Sequence, residues 1–185
     1  MSYQAACNTP SDINQHLPLL KEFASHCSHI TEFGVRTVVS TWALMAAHPK
    51  TYRGYDLTAH HNMKAAEAYA HANNIDCAFV IESTLKANIE PTDFLFIDTL
   101  HRYEQLSAEL KRHAHAVNKY IGFHDVSTFG YWDERPGQRL QPQRAMPGTK
   151  EGLLPAIFEF MQANPQWKVA HFNYVNNGLL ILEKL

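Results

Sequence analysis

Apolar residues recur along this chain in two rhythms. Short runs at Ile30 to Val35, Tyr52 to Leu57, Cys77 to Ile81, Asp93 to Asp98 and Tyr120 to His124 read as strands. The third and fourth are almost uninterrupted, which predicts strands buried on both faces of a sheet. Between these runs the spacing turns helical. Val38, Trp42, Leu44, Met45 and Ala47 mark one helix, which Pro49 ends. An Ala-rich helix, Lys64 to Ala72, follows His60-His61-Asn62-Met63 and stops at Asn73-Asn74. Tyr103, Leu106, Leu110, Ala114 and Val117 predict a helix over Arg102 to Val117, and Glu151 to Gln162 predicts another, with Pro155 as a local irregularity. Near the start, Ser11 or Asp12 can cap a helix bearing Ile13, Leu17, Leu19, Leu20 and Phe23, which Pro18 divides into two short pieces. The polar stretch Ser83 to Pro91 has room for one helical turn. At the end, Trp167 to Tyr174 and Leu179 to Leu182 flank Asn176-Asn177-Gly178, residues that tolerate positive φ, and so predict a hairpin.

Strands alternating with helices imply an α/β fold with a doubly wound, mostly parallel sheet and helices on both faces. The runs add up to seven strands, and the hairpin places one antiparallel strand among parallel ones. The chain reads as one domain, 1–185, interrupted by a long loop at 127–150 that carries Gly130, Pro136, Gly137, Pro142, Pro147 and Gly148. Loops of that length in compact domains are functional or disordered. The organising stretch is Ile30 to Asp56: strand, bend at Gly34, helix, strand, which is one half of a nucleotide-binding unit. Glu32 and Asp56 would then stand at the carboxyl ends of adjacent parallel strands, where open α/β sheets hold ligands. Gly34 either clears the backbone beneath a ligand or only serves the turn. The two acids either face that ligand or face water.

Composition narrows the classes. At 185 residues the chain has room for one real core. A net charge of -2 gives no basic face for nucleic acid or an anionic membrane. Cys7, Cys27 and Cys77 have neither disulfide-framework nor zinc-site spacing, which suits a reducing cytoplasm. The start, Met1-Ser2-Tyr3-Gln4-Ala5-Ala6, lacks the pattern of a signal peptide, and no apolar run reaches the roughly 18 residues that span a bilayer. The expectation is a cytoplasmic protein with a small-molecule partner, and a homo-oligomer stays open.

With the elements in order, the chain resembles the class I S-adenosylmethionine-dependent methyltransferases. More narrowly, it is similar to their small-molecule branch, which includes cephalosporin-hydroxylase-like proteins. The resemblance runs from about Asp12 to the C-terminus. Its carriers are Glu32-Phe33-Gly34-Val35-Arg36-Thr37 with Ser40-Thr41, Tyr55-Asp56, Phe96-Ile97-Asp98 with His101 and Tyr103, Phe123-His124-Asp125, and the hairpin. It implies that S-adenosylmethionine is the cofactor. Glu32 and Gly34 would line its methionine and ribose, Asp56 both ribose hydroxyls, and Asp98 the reaction centre; Arg36, beside Gly34, either touches the cofactor carboxylate or pairs with a surface acid. It also implies that a divalent metal, where one binds, is held by Asp98 and Asp125 with His124. Two positions depart from the family's pattern: Val38 replaces a second Gly, and Ser83 replaces the acid that reads the adenine amine.

Asp98, His101, His124 and Asp125 would gather on two adjacent strand ends in a sheet wound in this way. Carboxylates and imidazole suit Mg²⁺, Mn²⁺ or Fe²⁺, and a metal there would acidify an acceptor hydroxyl. Without metal, His101 or His124 is the candidate general base, beside Asp98 as the third candidate catalytic residue. Alternatively the two acids cap loops and His124 is a core residue. In the long loop, Tyr131, Trp132, Arg135, Arg139 and Arg144 would suit a sugar or a carboxylated or phosphorylated acceptor, or else form a solvated excursion. The leading expectation is O-methylation of a small polar acceptor such as a sugar or secondary metabolite. A degenerate fold kept for binding and a metal-dependent hydroxylase-like protein are the alternatives. A nicotinamide oxidoreductase fits less well, because its three-glycine fingerprint is absent.

Overall fold

A computed structural model describes residues 2–135 and 149–185. Its strands are β1 His29–Phe33, β2 Thr51–Asp56, β3 Asp76–Ile81, β4 Thr92–Ile97, β5 Val117–His124, β6 Trp167–Asn173 and β7 Leu179–Lys184. They form one sheet in the order β3-β2-β1-β4-β5-β7-β6. β1 pairs in parallel with β2 on one side and β4 on the other, so the winding reverses at β1 and opens a crevice at its carboxyl end. β7 runs antiparallel to both neighbours, as the hairpin predicts. Asn176, Asn177 and Gly178 all take positive φ in the connecting turn.

The helices are α1 Tyr3–Asn8, α2 Leu17–Ala24, α3 Val39–Met45, α4 Met63–Ala72, α5 Tyr103–His113 and α6 Leu153–Ala163. Strand alternation splits the core into two. Phe94, Phe96 and Ile181 point toward α2 and α3, where Leu17, Leu20, Trp42 and Leu44 meet them. Leu95, Ile97 and Leu180 point the other way, toward Leu106, Leu110, Leu153 and Ile157 of α5 and α6. None of the helices is long and apolar enough to cross a membrane, among the described residues. All three cysteines are free.

Several elements differ from the sequence expectation for physical reasons. β3 is an edge strand, not a buried one, and Ile81 is half exposed. The connection from β3 to β4 holds only a turn at residues 84–86, so no helix covers that side of the strand. Val117 opens β5 instead of closing a helix: α5 ends at His113, a 3-10 turn covers Ala114–Ala116, and buried Val117 pairs with Thr92. The two proline irregularities resolve at helix starts. Pro18 sits in the first turn of α2 behind a 3-10 turn at Asn14–His16, and Pro155 is the third residue of α6, where a missing N–H costs nothing. α1 has no counterpart in the apolar pattern. It is a single short element capped by the Ser2 hydroxyl.

Candidate functional site

A cleft of about 510 Å³ opens over the carboxyl ends of β1, β2 and β4, lined by Gly34, Asp56, Leu57, Ser83, Asp98 and His101 among others. A second hollow of about 480 Å³ lies between α5 and α6, past Lys111, Phe160 and Trp167, and holds none of the strand-end acids. The strand-end acids Asp56 and Asp98 line the first.

The loop after β1 shapes one wall. Gly34 has φ +84°, and a β-carbon there would stand 1.9 Å from the carbonyl oxygen of Asp98. The glycine is therefore required by the neighbouring backbone, whatever ligand passes above it. Arg36 and Val38 also take positive φ, at 47° and 71°. For buried, β-branched Val38 this is a strained conformation, and it lets the chain enter α3 where the family's pattern has a glycine. The Arg36 N–H donates to Asp56 Oδ2 at 2.7 Å, and the Thr58 N–H donates to Asp56 Oδ1 at 3.0 Å. Both oxygens of Asp56 are thus aimed by backbone. The Arg36 guanidinium leans on exposed Asp12 at 2.9 Å, so the structure pairs it with a surface acid.

Glu32 is displaced from the wall that the resemblance assigned to it. It is wholly buried and is not among the residues lining the cleft. Its carboxylate accepts hydrogen bonds from Ser40, from Thr41 at 2.6 Å and from Tyr52. Burial pushes its carboxyl up to about 7, with the three hydroxyls pulling the other way. Its place in the fold is to tie β2 and the first turn of α3 to β1.

At the other end of the cleft the structure brings Asp98, His101, His124 and Asp125 together. His101 Nε2 lies 3.2 Å from Asp98 Oδ1 and 3.0 Å from Asp125 Oδ2. His124 Nδ1 faces the same two carboxylates at 3.4 and 3.3 Å, and its Nε2 meets the carbonyl of Asn176 at 3.2 Å. Phe129 stacks on the His101 ring at 4.8 Å. Burial works against charge on both imidazoles, but hydrogen bonds to and attraction by Asp125 and Asp98 win and raise both to about 10. For Asp98, burial is likewise outweighed by His101 and His124, which hold the carboxyl well below its ordinary range. One ligand atom each from Asp98, His101 and Asp125 falls within 4.8 Å of the others. The donor set fits a divalent cation, with His101 in the third place that the sequence reading gave to His124.

Glu134 belongs to this cluster and escaped the sequence reading. Its carboxylate takes His101 Nδ1 at 2.9 Å, and its backbone N–H donates to the carbonyl of His101 at 2.8 Å. Beside it, Asp133 Oδ1 accepts the N–H of Tyr103, which opens α5, and the N–H of Gly152, which precedes α6, both at 2.8 Å. Arg135 bonds Glu151 at 3.0 Å. Tyr131 is exposed. Trp132 is half buried. Arg139 and Arg144 lie outside the described residues.

Behind Ser83 lies a second buried network. Ser83 itself organises a turn, its hydroxyl accepting from the Leu85 N–H at 3.3 Å. Glu109, fully buried in α5, accepts from Thr84 at 2.6 Å, Gln105 at 2.8 Å and Thr99 at 3.0 Å. His113 Nε2 holds the carbonyl of Thr84 at 2.7 Å. Burial raises the Glu109 carboxyl, against those three donors. The available signal was positional: Leu106, Glu109, Leu110 and His113 share one helical face, which puts an acid and an imidazole inside an apolar stripe.

No family model and no curated protein matches the chain. Solved structures do. The O-methyltransferase from Bacillus cereus, in complex with S-adenosylhomocysteine, aligns over 98% of this chain and 86% of its own at 14% identity and a TM-score of 0.61. The magnesium protoporphyrin IX methyltransferase from Synechocystis, also with bound S-adenosylhomocysteine, covers 99% and 93% at 13% identity and 0.63. The 1,6-didemethyltoxoflavin-N1-methyltransferase from Burkholderia thailandensis covers 94% and 78% at 11% identity and 0.65. With that likeness, the strand order and the antiparallel β7, the chain has the fold of the class I S-adenosylmethionine-dependent methyltransferases.

Proposed function

We propose that this protein is an S-adenosylmethionine-dependent methyltransferase acting on an oxygen of a small polar acceptor, such as a sugar or a secondary metabolite. The observation that carries the reading is the shared cleft: Gly34, Asp56 and the Asp98 and His101 cluster line a single 510 Å³ space at the switch point of the sheet. Asp56 Oδ2 takes one backbone N–H and has a lone pair for a ribose hydroxyl, while Oδ1 takes the Thr58 N–H and, at 3.4 Å, the Thr58 hydroxyl, which a second ribose hydroxyl would displace. Leu57 and Leu100, 72% and 43% exposed on the cleft, give apolar surface for a purine.

Methyl transfer forms an acceptor O–C bond while the S–C bond breaks, and the sulfur keeps the electron pair as a neutral thioether. The acceptor's proton must leave. In this cluster His101 is already an imidazolium with its two N–H groups committed to Glu134 and to the aspartates, so it is not the base. Asp98 and Asp125 are held as weak bases by the two imidazoliums, so they take the proton only as the O–C bond forms and the acceptor oxygen turns strongly acidic. Asp98, His101 and Asp125 would hold a divalent metal only with the Nε2 proton of His101 displaced, and the metal would then lower the pKa of the acceptor hydroxyl. A binding protein with a silent site is the second reading. It is favoured by the complete engagement of His101, whose two ring nitrogens already meet Glu134 and the two aspartates.

Thermal unfolding with S-adenosylmethionine, S-adenosylhomocysteine and NAD, each with and without Mg²⁺, tests this. Either sulfur nucleoside at a hundred times its Kd should add about 2.7 kcal/mol of stability, while NAD adds none. A folded protein indifferent to both sulfur nucleosides overturns the reading. Tight binding of S-adenosylhomocysteine with no methyl release from the methyl donor across a panel of hydroxylated acceptors favours the silent site.

A further inference from the structure

The chain lacks an acid at Ser83, yet the wall beside Ser83 is not without an acceptor. Gln105, on the first turns of α5, lines the cleft together with Ser83 and Thr84. A glutamine amide can face a ligand with its carbonyl or with its NH₂, and the two choices select opposite partners. Here the choice is made from behind. The Gln105 Nε2 lies 2.8 Å from Glu109 Oε1 and 3.4 Å from Thr84 Oγ1. The Thr84 hydroxyl gives its own hydrogen to Glu109 Oε1 at 2.6 Å, and Thr99 gives one to Oε2 at 3.0 Å. Glu109 collects donors, so the NH₂ of Gln105 is the end that must turn toward it. The amide's carbonyl oxygen then has no hydrogen-bond partner among the described residues. His113 fixes the other side of Thr84 through its carbonyl, so the platform is held at both ends.

We infer that Gln105, oriented by buried Glu109, is the specificity-determining residue of the base subsite, presenting its carbonyl oxygen to an exocyclic amine and so selecting adenine over a 6-oxopurine. The inference rests on the cofactor reading above and deepens it. It places a neutral acceptor on α5 in the same cleft wall as Glu82, the acid that precedes Ser83 on the loop after β3. Against an adenine the Gln105 oxygen accepts one N–H. Against a hypoxanthine it meets a second lone-pair oxygen, and both are left unsatisfied in the cleft. Gln105 contacts the ligand; Glu109 acts through it and is a positioning residue.

The test is calorimetric titration of the full chain with S-adenosylhomocysteine and S-inosylhomocysteine, for the wild type, Gln105→Leu and Glu109→Gln. The wild type should bind the adenosyl ligand about tenfold tighter or more. In Gln105→Leu the ratio should collapse to within about threefold, mostly by loss of adenosyl affinity. In Glu109→Gln the new amide can donate as well as accept, so Gln105 can turn over, and the ratio should fall between the other two. Because Gln105 is only half buried, its variant remains usable if Glu109→Gln does not fold. An unchanged ratio in Gln105→Leu overturns the inference while leaving the cofactor reading intact. Equal loss of both ligands in Glu109→Gln at an unchanged ratio reduces Glu109 to a structural role and overturns its part. Failure of the wild type to bind either ligand removes the cofactor reading, and this one with it.

Discussion

Gly34 and Asp98 touch backbone to backbone at the switch point: a β-carbon on Gly34 would lie 1.9 Å from the Asp98 carbonyl oxygen. The Asp98 N–H also donates to the carbonyl of Phe33 at 2.9 Å. The wall of the cleft and the first member of the carboxylate–imidazole cluster are therefore one rigid joint.

Replacing Gly34 with alanine should break that joint. An L residue at φ +84° is strained, and the clash falls on backbone that has no rotamer with which to yield. The expected loss is about 2 to 4 kcal/mol in urea unfolding, accompanied by loss of ligand binding. A fully stable Gly34→Ala would mean that β4 can shift freely at Asp98.

Val38 makes the opposite case. Its left-handed conformation costs about 1 to 2 kcal/mol, but burying its side chain returns about 1.5 to 3. Val38→Gly removes both and should cost only about 1 kcal/mol net. Leu44→Ala, in the same core and unstrained, should cost about 2 to 5. Equal losses for the two would show that Val38 carries no strain.

The fold was legible because its strands are short apolar runs and its helices keep their spacing. Where the reading slipped, tertiary context decided: Val117 went to β5 because Thr92 was there to pair with it, and β3 was left at an edge by a crossover without a helix. The strand-end residues Asp56, Asp98, His101 and Asp125 were legible because a parallel sheet puts its carboxyl ends at one rim. Glu134 was not, since 33 residues separate it from His101 and only the folded loop closes that distance. Glu32 was misplaced for a related reason. An acid near a strand's carboxyl end can point into the sheet's packing layer, and its three hydroxyl partners come from Ser40, Thr41 and Tyr52, on two other elements.

The imidazole cluster predicts a pH dependence with a definite sign. His101 and His124 are raised in the folded state, so the stability they lend is fully present below about 6.5 and is lost as pH rises toward 10. Glu32, a carboxyl raised to about 7, loses its contribution in a lower window, as pH rises from 4.5 to 7. Urea unfolding across pH should therefore fall from 6.5 to 10, and Asp98→Asn or Asp125→Asn should flatten that limb. Glu32→Gln should flatten only the lower one. An upper limb unaffected by either aspartate variant contradicts the pairing.

Asp133 caps two helices with one oxygen. Asp133→Ala should cost about 1 to 3 kcal/mol, at the upper end for a single cap. It should also loosen Glu134 from His101, which the imidazole NMR signal of His101 would report as a changed titration. A loss below 0.5 kcal/mol, on the scale of ordinary surface changes, would show that water replaces the cap.

The most direct measurement is a crystal structure with S-adenosylhomocysteine. The account predicts ribose hydroxyls on the Asp56 carboxylate, the purine beside Leu57 and Gln105, and the sulfur at the Asp98 and His101 end of the cleft. Ligand density in the groove between α5 and α6, or a ribose that does not touch Asp56, would contradict it.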